Sequence, residues 1–208
     1  MIKMQGADTY GWEAAVRGMR NPMNSWDKSD SHFNEYPDGK RVFVVGDEDL
    51  KLMKKLVAAG SDHRKFMRFI IVNTDITAPL YWWKEFDTYK VGTVANSCST
   101  MHRIHSKEFT LDDFSHEHLN DTSIAILVGL IRLLNRCREK YLVTHDKTWW
   151  WQLIQLLPSS YNQKRTVQLN YEVLRNMYHA RKNHKLDEWH VFCEWIKTLP
   201  HSELITEE

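Results

Sequence analysis

Between Thr122 and Leu142 the apolar residues Ile124, Leu127, Val128, Ile131, Leu134 and Tyr141 recur at steps that line one face of an α-helix, while Arg132, Arg136 and Arg138 fall elsewhere on its surface. This spacing predicts a central helix whose apolar start is deeply buried. The continuous apolar run inside it, Ile124 to Ile131, is interrupted by Gly129 and stopped by Arg132. That is far short of the roughly 20 residues a membrane span needs, so the helix is expected to serve the core of a soluble domain.

The rest of the chain reads as an ordinary globular protein. Of its 208 residues, 42% are hydrophobic and 26% charged, which excludes the disordered and fibrous classes. The length predicts a single domain over residues 1–208. Lys plus Arg number 28 against 27 Asp plus Glu, a net charge of +1, so no overall field recruits nucleic acid or an anionic membrane and any anion site must be local. The three cysteines, Cys98, Cys137 and Cys193, form no Cys-x-x-Cys pair and no even set, which predicts reduced thiols. Met1 to Tyr10 carries Gln5 and Asp8 instead of the apolar run of a secretory signal, and a cytoplasmic protein is expected. Nine tryptophans suit a core and can also furnish a stacking pocket.

Up to about residue 45 the chain is loop-rich, with Gly6, Gly11, Gly18, Pro22, Pro37 and Gly39 among Asn, Ser and Asp, and a short helix from Trp12 to Met19. Arg20 to Asp30 combines an aromatic with two cations, a composition for a solvated loop or for one that touches a nucleotide. Arg41-Val-Phe-Val-Val45 predicts a strand. A helix begins near Asp47 with acids in its first turn, carries Leu50, Met53, Leu56 and Val57 on one stripe and stops at Gly60. Phe66 to Val72 predicts a buried strand. Ala78-Pro79 opens a helix from Leu80 to Tyr89, and the hydroxyl-rich stretch Gly92 to Thr100 suits an extended pocket wall. Helices follow at Thr148 to Leu157, Tyr171 to Lys182 and Asp187 to Thr198. Ser159 to Leu169 is strand-like, and the acidic tail Glu203 to Glu208 is expected to fray. The pattern is α+β, with helix dominating the second half.

Among eleven histidines, the sets His102-x-x-His105, His116-x-His118 and His179 with His184 are not joined by a Cys-x-x-Cys pair or a His-Glu-x-x-His helix, so no metal site is expected. Cys98 with His102 has the residue types of a thiol nucleophile and its base. Such groups converge in space and not in sequence, so an inert small residue is the favoured reading. No phosphate-loop or dinucleotide-fold fingerprint is present. The helix from Asn170 to Arg181 is more informative. Residues 170 and 181 are eleven apart, about three turns and so on roughly one face. Asn pairs a donor with an acceptor as a base edge requires, and Arg offers a fork for carboxylate, phosphate or an ionised uracil edge. A solvated helix face fits the same spacing.

A helix ending at Gly60 with His63 nearby, a strand, Ala78-Pro79-Leu80-Tyr81 opening a helix, Leu157-Pro158, and twelve residues on Asn170 heading a helix with Asn176 and Arg181 make up an order that resembles the flavin-dependent thymidylate synthases, the ThyX family. The resemblance covers about residues 50–200. It implies an α+β ThyX-like subunit with a mixed sheet and a helix-rich C-terminal half, assembled as a homotetramer with ligand pockets at subunit interfaces. It further implies that Asn170 and Asn176 contact flavin and that Arg181 is catalytic. There it would polarise the uracil of dUMP and draw negative charge onto the ring for alkylation at C5, as a fixed cation stabilises charge where it develops.

The family's signature, Arg-His-Arg-x-x-Ser followed by a Ser and an Arg, is replaced here. Counting without gaps from Pro79 places Thr88, Tyr89 and Lys90 on Arg-His-Arg, Thr93 on the Ser, and Cys98 and Thr100 on the later Ser and Arg. A one-residue insertion brings Asn96 and Ser99 to the motif and puts Met101 on the Arg. By resemblance, Tyr89 and Lys90 then stand among cofactor-binding positions, and Thr93, Asn96, Cys98 and Ser99 among substrate-binding ones. Ile154 and Glu172 occupy two further arginine positions. Each charged hydrogen bond lost to a ligand is worth about 1.5–3 kcal/mol, and Lys84, Lys90, Arg20, Lys28 and Arg103 are the cations at hand to replace them. Two readings result. One is a thymidylate synthase-like protein that binds a uridine nucleotide and FAD, with NADPH and methylenetetrahydrofolate for reductive methylation of dUMP. The other is a non-catalytic phage or bacterial relative that binds another nucleotide or a protein partner in a regulatory or counter-defence role. Nucleic-acid binding, favoured only by Arg103, Arg132, Arg136 and Arg138, is not expected.

Overall fold

The computed structural model describes residues 2–207. In chain order the elements are β1 (Lys3–Tyr10), α1 (Trp12–Arg20), β2 (His32–Glu35), β3 (Arg41–Val44), α2 (Asp47–Ala58), β4 (Ile71–Pro79), α3 (Leu80–Phe86), β5 (Val94–Ser97), α4 (Asp121–Thr144), α5 (Lys147–Leu156), β6 (Asn162–Asn170), α6 (Tyr171–Arg181), α7 (Asp187–Ile196) and α8 (Glu203–Thr206). One sheet has the strand order β1-β4-β6-β5. Strands β2 and β3 pair antiparallel, with His32 opposite Val44 and Phe33 opposite Phe43. The class is α+β, as the sequence pattern requires. The chain divides into two compact units: a first made of the residues up to Gln5, Asp75–Thr88 and Ala95–Thr166, and a second made of Gly6–Thr74, Tyr89–Val94 and the chain from Val167 on.

In the first unit, Leu127, Ile131, Leu134 and Cys137 of α4 close with Leu153 of α5 over Ile104, Phe109 and Phe114. Both helices start on side-chain caps: Asn120 Oδ1 accepts from Ser123 N at 2.9 Å and Asp146 Oδ1 from Thr148 N at 2.9 Å, each cap worth about 1 kcal/mol. The start of α4 is less buried than its composition predicts, with Ile126 70% exposed. Successive helical residues point about 100° apart, so an unbroken apolar run cannot all face one core. Helix α3 ends at Phe86, short of Tyr89, where Thr88 Oγ1 donates to the Glu85 carbonyl at 2.7 Å and Asp87 N to the Trp83 carbonyl at 2.8 Å. Its Trp82, Trp83 and Phe86 are buried, and Trp83 Nε1 donates to the Gln163 carbonyl at 2.9 Å. The three tryptophans of α5 part company: Trp149 packs on the core with Lys140 Nζ 4.3 Å above its ring, Trp150 Nε1 donates to the Met101 carbonyl at 3.0 Å, and Trp151 is exposed.

Three further places differ from expectation. Residues 66–70 do not form a strand: a 3-10 turn spans Lys65–Phe69, burying Phe66 and Met67 while Arg68 and Phe69 face out, and β4 begins only at Ile71. Apolar composition marked the segment, but its two-in, two-out pattern lacks the alternation of a strand. Strand β1, nearly all exposed and broken by Gly6 at φ 70, had no apolar alternation to announce it. The tail does not fray as far as Glu207: Leu204 and Ile205 of α8 are buried, and Arg175 donates to the carbonyls of Leu204, Ile205 and Glu207.

Arg20 also has a settled place. Its Nε donates to Asp49 Oδ1 at 2.6 Å, and its two terminal nitrogens reach the carbonyls of Ser25 and Lys28. Ser29 and Ser31 hydroxyls donate to the other Asp49 oxygen at 2.5 and 2.6 Å. Burial pushes the Asp49 carboxyl up, but the hydrogen bonds from Ser29, Ser31 and Arg20 outweigh it and hold the group below the usual carboxylate range. Arg20 is therefore a buried strut for the 20–31 loop and is unavailable as a replacement cation for a ligand.

Candidate functional site

Helix α6 begins where Asn170 leaves β6 with extended backbone, φ −123 and ψ 165, and folds its side chain over the first turn so that Oδ1 accepts from Val173 N at 2.9 Å. The other side of the amide lies against Gly92. A Cβ at Gly92 would stand 2.5 Å from Asn170 Nδ2, and its backbone is left-handed at φ +74; both facts require glycine. Next to it, Thr93 Oγ1 is buried without a hydrogen-bond partner, an arrangement that native proteins reserve for special positions. Asn176 is exposed on α6, and Lys90 is exposed on the chain before β5.

Arg181 closes the helix and is half-buried. Its Nε donates to the Tyr89 hydroxyl at 2.9 Å, and its Cζ lies 4.8 Å from the centre of the Trp189 ring and 5.5 Å from that of Tyr89. The structure thus brings Tyr89 to Arg181, and Asn170 to the glycine beside Thr93. Trp189 was not singled out from the sequence, because a ring that matters through a contact between α6, α7 and the 89–94 segment leaves no local signature.

The Glu172 carboxylate is neutralised within the fold. Glu172, in the first turn of α6, is buried, is bridged by Arg68 Nε, and lies 3.7 Å from Arg64 Nε. The buried acid is therefore answered by cations from the 64–68 turn. Arg175, three residues on, serves the α8 carbonyls.

Cys98 and Ser99 lie in the first unit, on a cavity of about 670 Å³ that Lys3, Arg103, Lys107 and Tyr161 also line. Lys107 is ion-paired with Asp113, and Lys164, also on the cavity wall, with Asp75 at 2.8 Å. Among the described residues the side chains of Arg103 and Lys3 make no hydrogen bond or ion pair, and they share the cavity wall with the carboxylates of Asp112 and Glu117. Burial pushes the Tyr161 phenol up, with the charges of Asp113 and Cys98 adding to it; it is a proton-bearing donor at neutral pH. Ser99 Oγ accepts from the backbone of Met101 and His102 at 3.2 and 2.9 Å, which turns that loop inward. Asn96 sits exposed on β5 and His102 does not line the cavity. Lys3 carries no signal in the sequence; Arg103 was marked by its charge. No group of three metal-ligating side chains is found among the described residues, nor any helix long and apolar enough to cross a membrane.

Comparison with solved structures gives full-length matches. The fold is that of the flavin-dependent thymidylate synthases. A Helicobacter pylori ThyX complexed with FAD and dUMP superposes with a TM-score of 0.68 at 16% identity, covering 98% of this chain and 97% of that one. A second H. pylori ThyX structure with the same ligands gives 0.69 at 15% identity, with 98% and 96% covered. PolB, a UMP/dUMP methylase of Streptomyces cacaoi bound with 5-Br dUMP, gives 0.61 at 13%, with 98% and 94% covered. No family model matches the sequence, and no curated protein does. The fold is thus shared with these proteins at 13–16% sequence identity.

Proposed function

We propose that the protein binds a uridine nucleotide, with Arg181 meeting the pyrimidine edge. One observation supports this above the others: the arginine that the resemblance assigns to uracil is half-buried and held by Tyr89 and Trp189, where an unconstrained helix-end arginine would extend into water. Proteins of this fold have been solved with dUMP and with 5-Br dUMP. Thr93, with its unsatisfied hydroxyl, and the exposed amide of Asn176 are the further polar groups offered from the same unit. We infer separately that the cavity of the first unit takes an anion of the phosphate class, with Arg103 and Lys3 as its charges and Cys98 and Ser99 on its wall.

FAD fits this donor set poorly. Of the three signature positions only Lys90 is charged, the Tyr89 oxygen accepts from Arg181, and Glu172 brings an acid clamped by two arginines. The diphosphate of a dinucleotide calls for several cations or a run of backbone N–H groups, and the family's way of holding it is not available here. The reading favoured is a nucleotide-binding protein with a ThyX-like fold that does not carry out flavin-dependent methylation. By the same resemblance it is a homotetramer, which sedimentation would test. Calorimetric titration with dUMP and with FAD tests the rest: dUMP should bind and FAD should not. Bound yellow flavin that copurifies with the protein would restore the enzyme reading, and a flat dUMP titration would remove the uridine reading.

A further inference from the structure

We propose that Tyr89 and Trp189 are positioning residues that fix the direction of the Arg181 guanidinium before a uracil arrives. The inference rests on the uridine reading above. A long side chain at a helix end samples many rotamers in water. Here two different contacts select one. The guanidinium carbon is 4.8 Å from the Trp189 ring centre and 5.5 Å from that of Tyr89, within the reach of cation–π attraction. Nε donates to the Tyr89 oxygen at 2.9 Å, which fixes rotation about the side-chain axis as well as distance.

The walls of this cage are themselves restrained. The Trp189 ring is fully buried and packs edge-on against Phe192 at 5.7 Å and His184 at 6.3 Å. Tyr89 meets it at 6.3 Å with an interplanar angle of 64°. Tyr89 lies three residues before Gly92, whose contact with Asn170 ties this segment to the start of α6. The segment that carries Tyr89 thus also packs at the start of α6, and a cation already aimed at its target spares the ligand the cost of ordering it. The tyrosine at the family's His position acts on the arginine and need not touch a cofactor.

Two measurements on the full chain test this. In the ligand-free protein, nitrogen relaxation at Arg181 Nε should report an order parameter near that of rigid backbone, about 0.85, falling below about 0.6 in Tyr89→Phe. In calorimetric titrations with dUMP, Tyr89→Phe should weaken binding by about fivefold to tenfold, and should weaken it no further once Arg181→Ala is present, the coupling expected of residues that act as one. Trp189→Phe, which keeps a ring face, should hold affinity within about twofold, and Trp189→Leu should match Tyr89→Phe. Equal losses from Tyr89→Phe with and without Arg181 overturn the proposal, because Tyr89 then acts on the ligand or the fold directly. A mobile Arg181 in a protein that binds dUMP overturns the cage alone. A rigid Arg181 in a protein that binds no dUMP overturns the uridine reading, and with it the ligand the cage would serve.

Discussion

The arginines of the two units are used in different ways. In the second unit Arg20 is buried against Asp49, Arg64 and Arg68 flank Glu172, Arg175 gathers the α8 carbonyls, and Arg181 lies on Trp189. In the first unit Arg165 is similarly engaged, stacked 4.2 Å from the Trp83 ring and bonded to Asp87 at 2.8 Å, but the guanidinium groups of Arg103, Arg132 and Arg136 make no hydrogen bond or ion pair among the described residues. The contrast separates two uses of one side chain. A guanidinium whose fork is filled by carboxylates and carbonyls has become part of the fold, and one without partners on a cavity wall retains its charge for something else. Counting cations in the sequence cannot tell them apart.

The comparison breaks most visibly at Arg20. Asp49→Asn or Arg20→Ala leaves a buried group without its partner and should cost about 3–5 kcal/mol, read as a lower midpoint in urea. The pH dependence follows from the sign of the shift. The folded Asp49 carboxyl titrates below its unfolded value, so its contribution is in place above the unfolded pKa and is lost as the pH falls through the folded one. Asp49→Asn should remove that part of the acid transition.

Arg175→Met should cost less, about 2 kcal/mol for the charge-assisted hydrogen bonds it gives up. The loss should be local, with faster amide exchange over 203–207. Arg68→Ala comes next: its side chain is 58% exposed, the pair is screened by solvent, and about 1 kcal/mol or less should be lost. At the far end stands Arg103→Ala, which should move the unfolding free energy by no more than about 0.5 kcal/mol. It should nonetheless weaken binding of inorganic phosphate, measured by calorimetry, and reduce the salt dependence of that binding. A stability loss at Arg103 as large as at Arg175 would erase the distinction between the units.

Regular periodicity made the helices legible. The spacing of Leu127, Ile131 and Leu134 predicted the packed face of α4, and Asn170 heads α6 where the sequence placed a helix start. What stayed hidden was encoded across long separations. Leu204 and Ile205 looked like interruptions of an acidic tail until Arg175, about thirty residues away, supplied partners for their carbonyls. The 65–69 turn was masked by an apolar composition that helices, turns and strands share. For the site, the sequence marked Arg181 but not the ring that restrains it, since Tyr89 and Arg181 are 92 residues apart. The cavity beside Cys98 and Ser99 was half legible: its small polar wall was read from Gly92 to Thr100, but Lys3, from the other end of the unit, could not be.

The left-handed turn at Gly92 has a mechanical consequence. Any side chain there would strike the Asn170 amide, so the backbone before β5 and the opening turn of α6 are geared together with no slack between them. Whatever displaces Tyr89 is felt at the head of the helix, and whatever unwinds that head is felt at Tyr89.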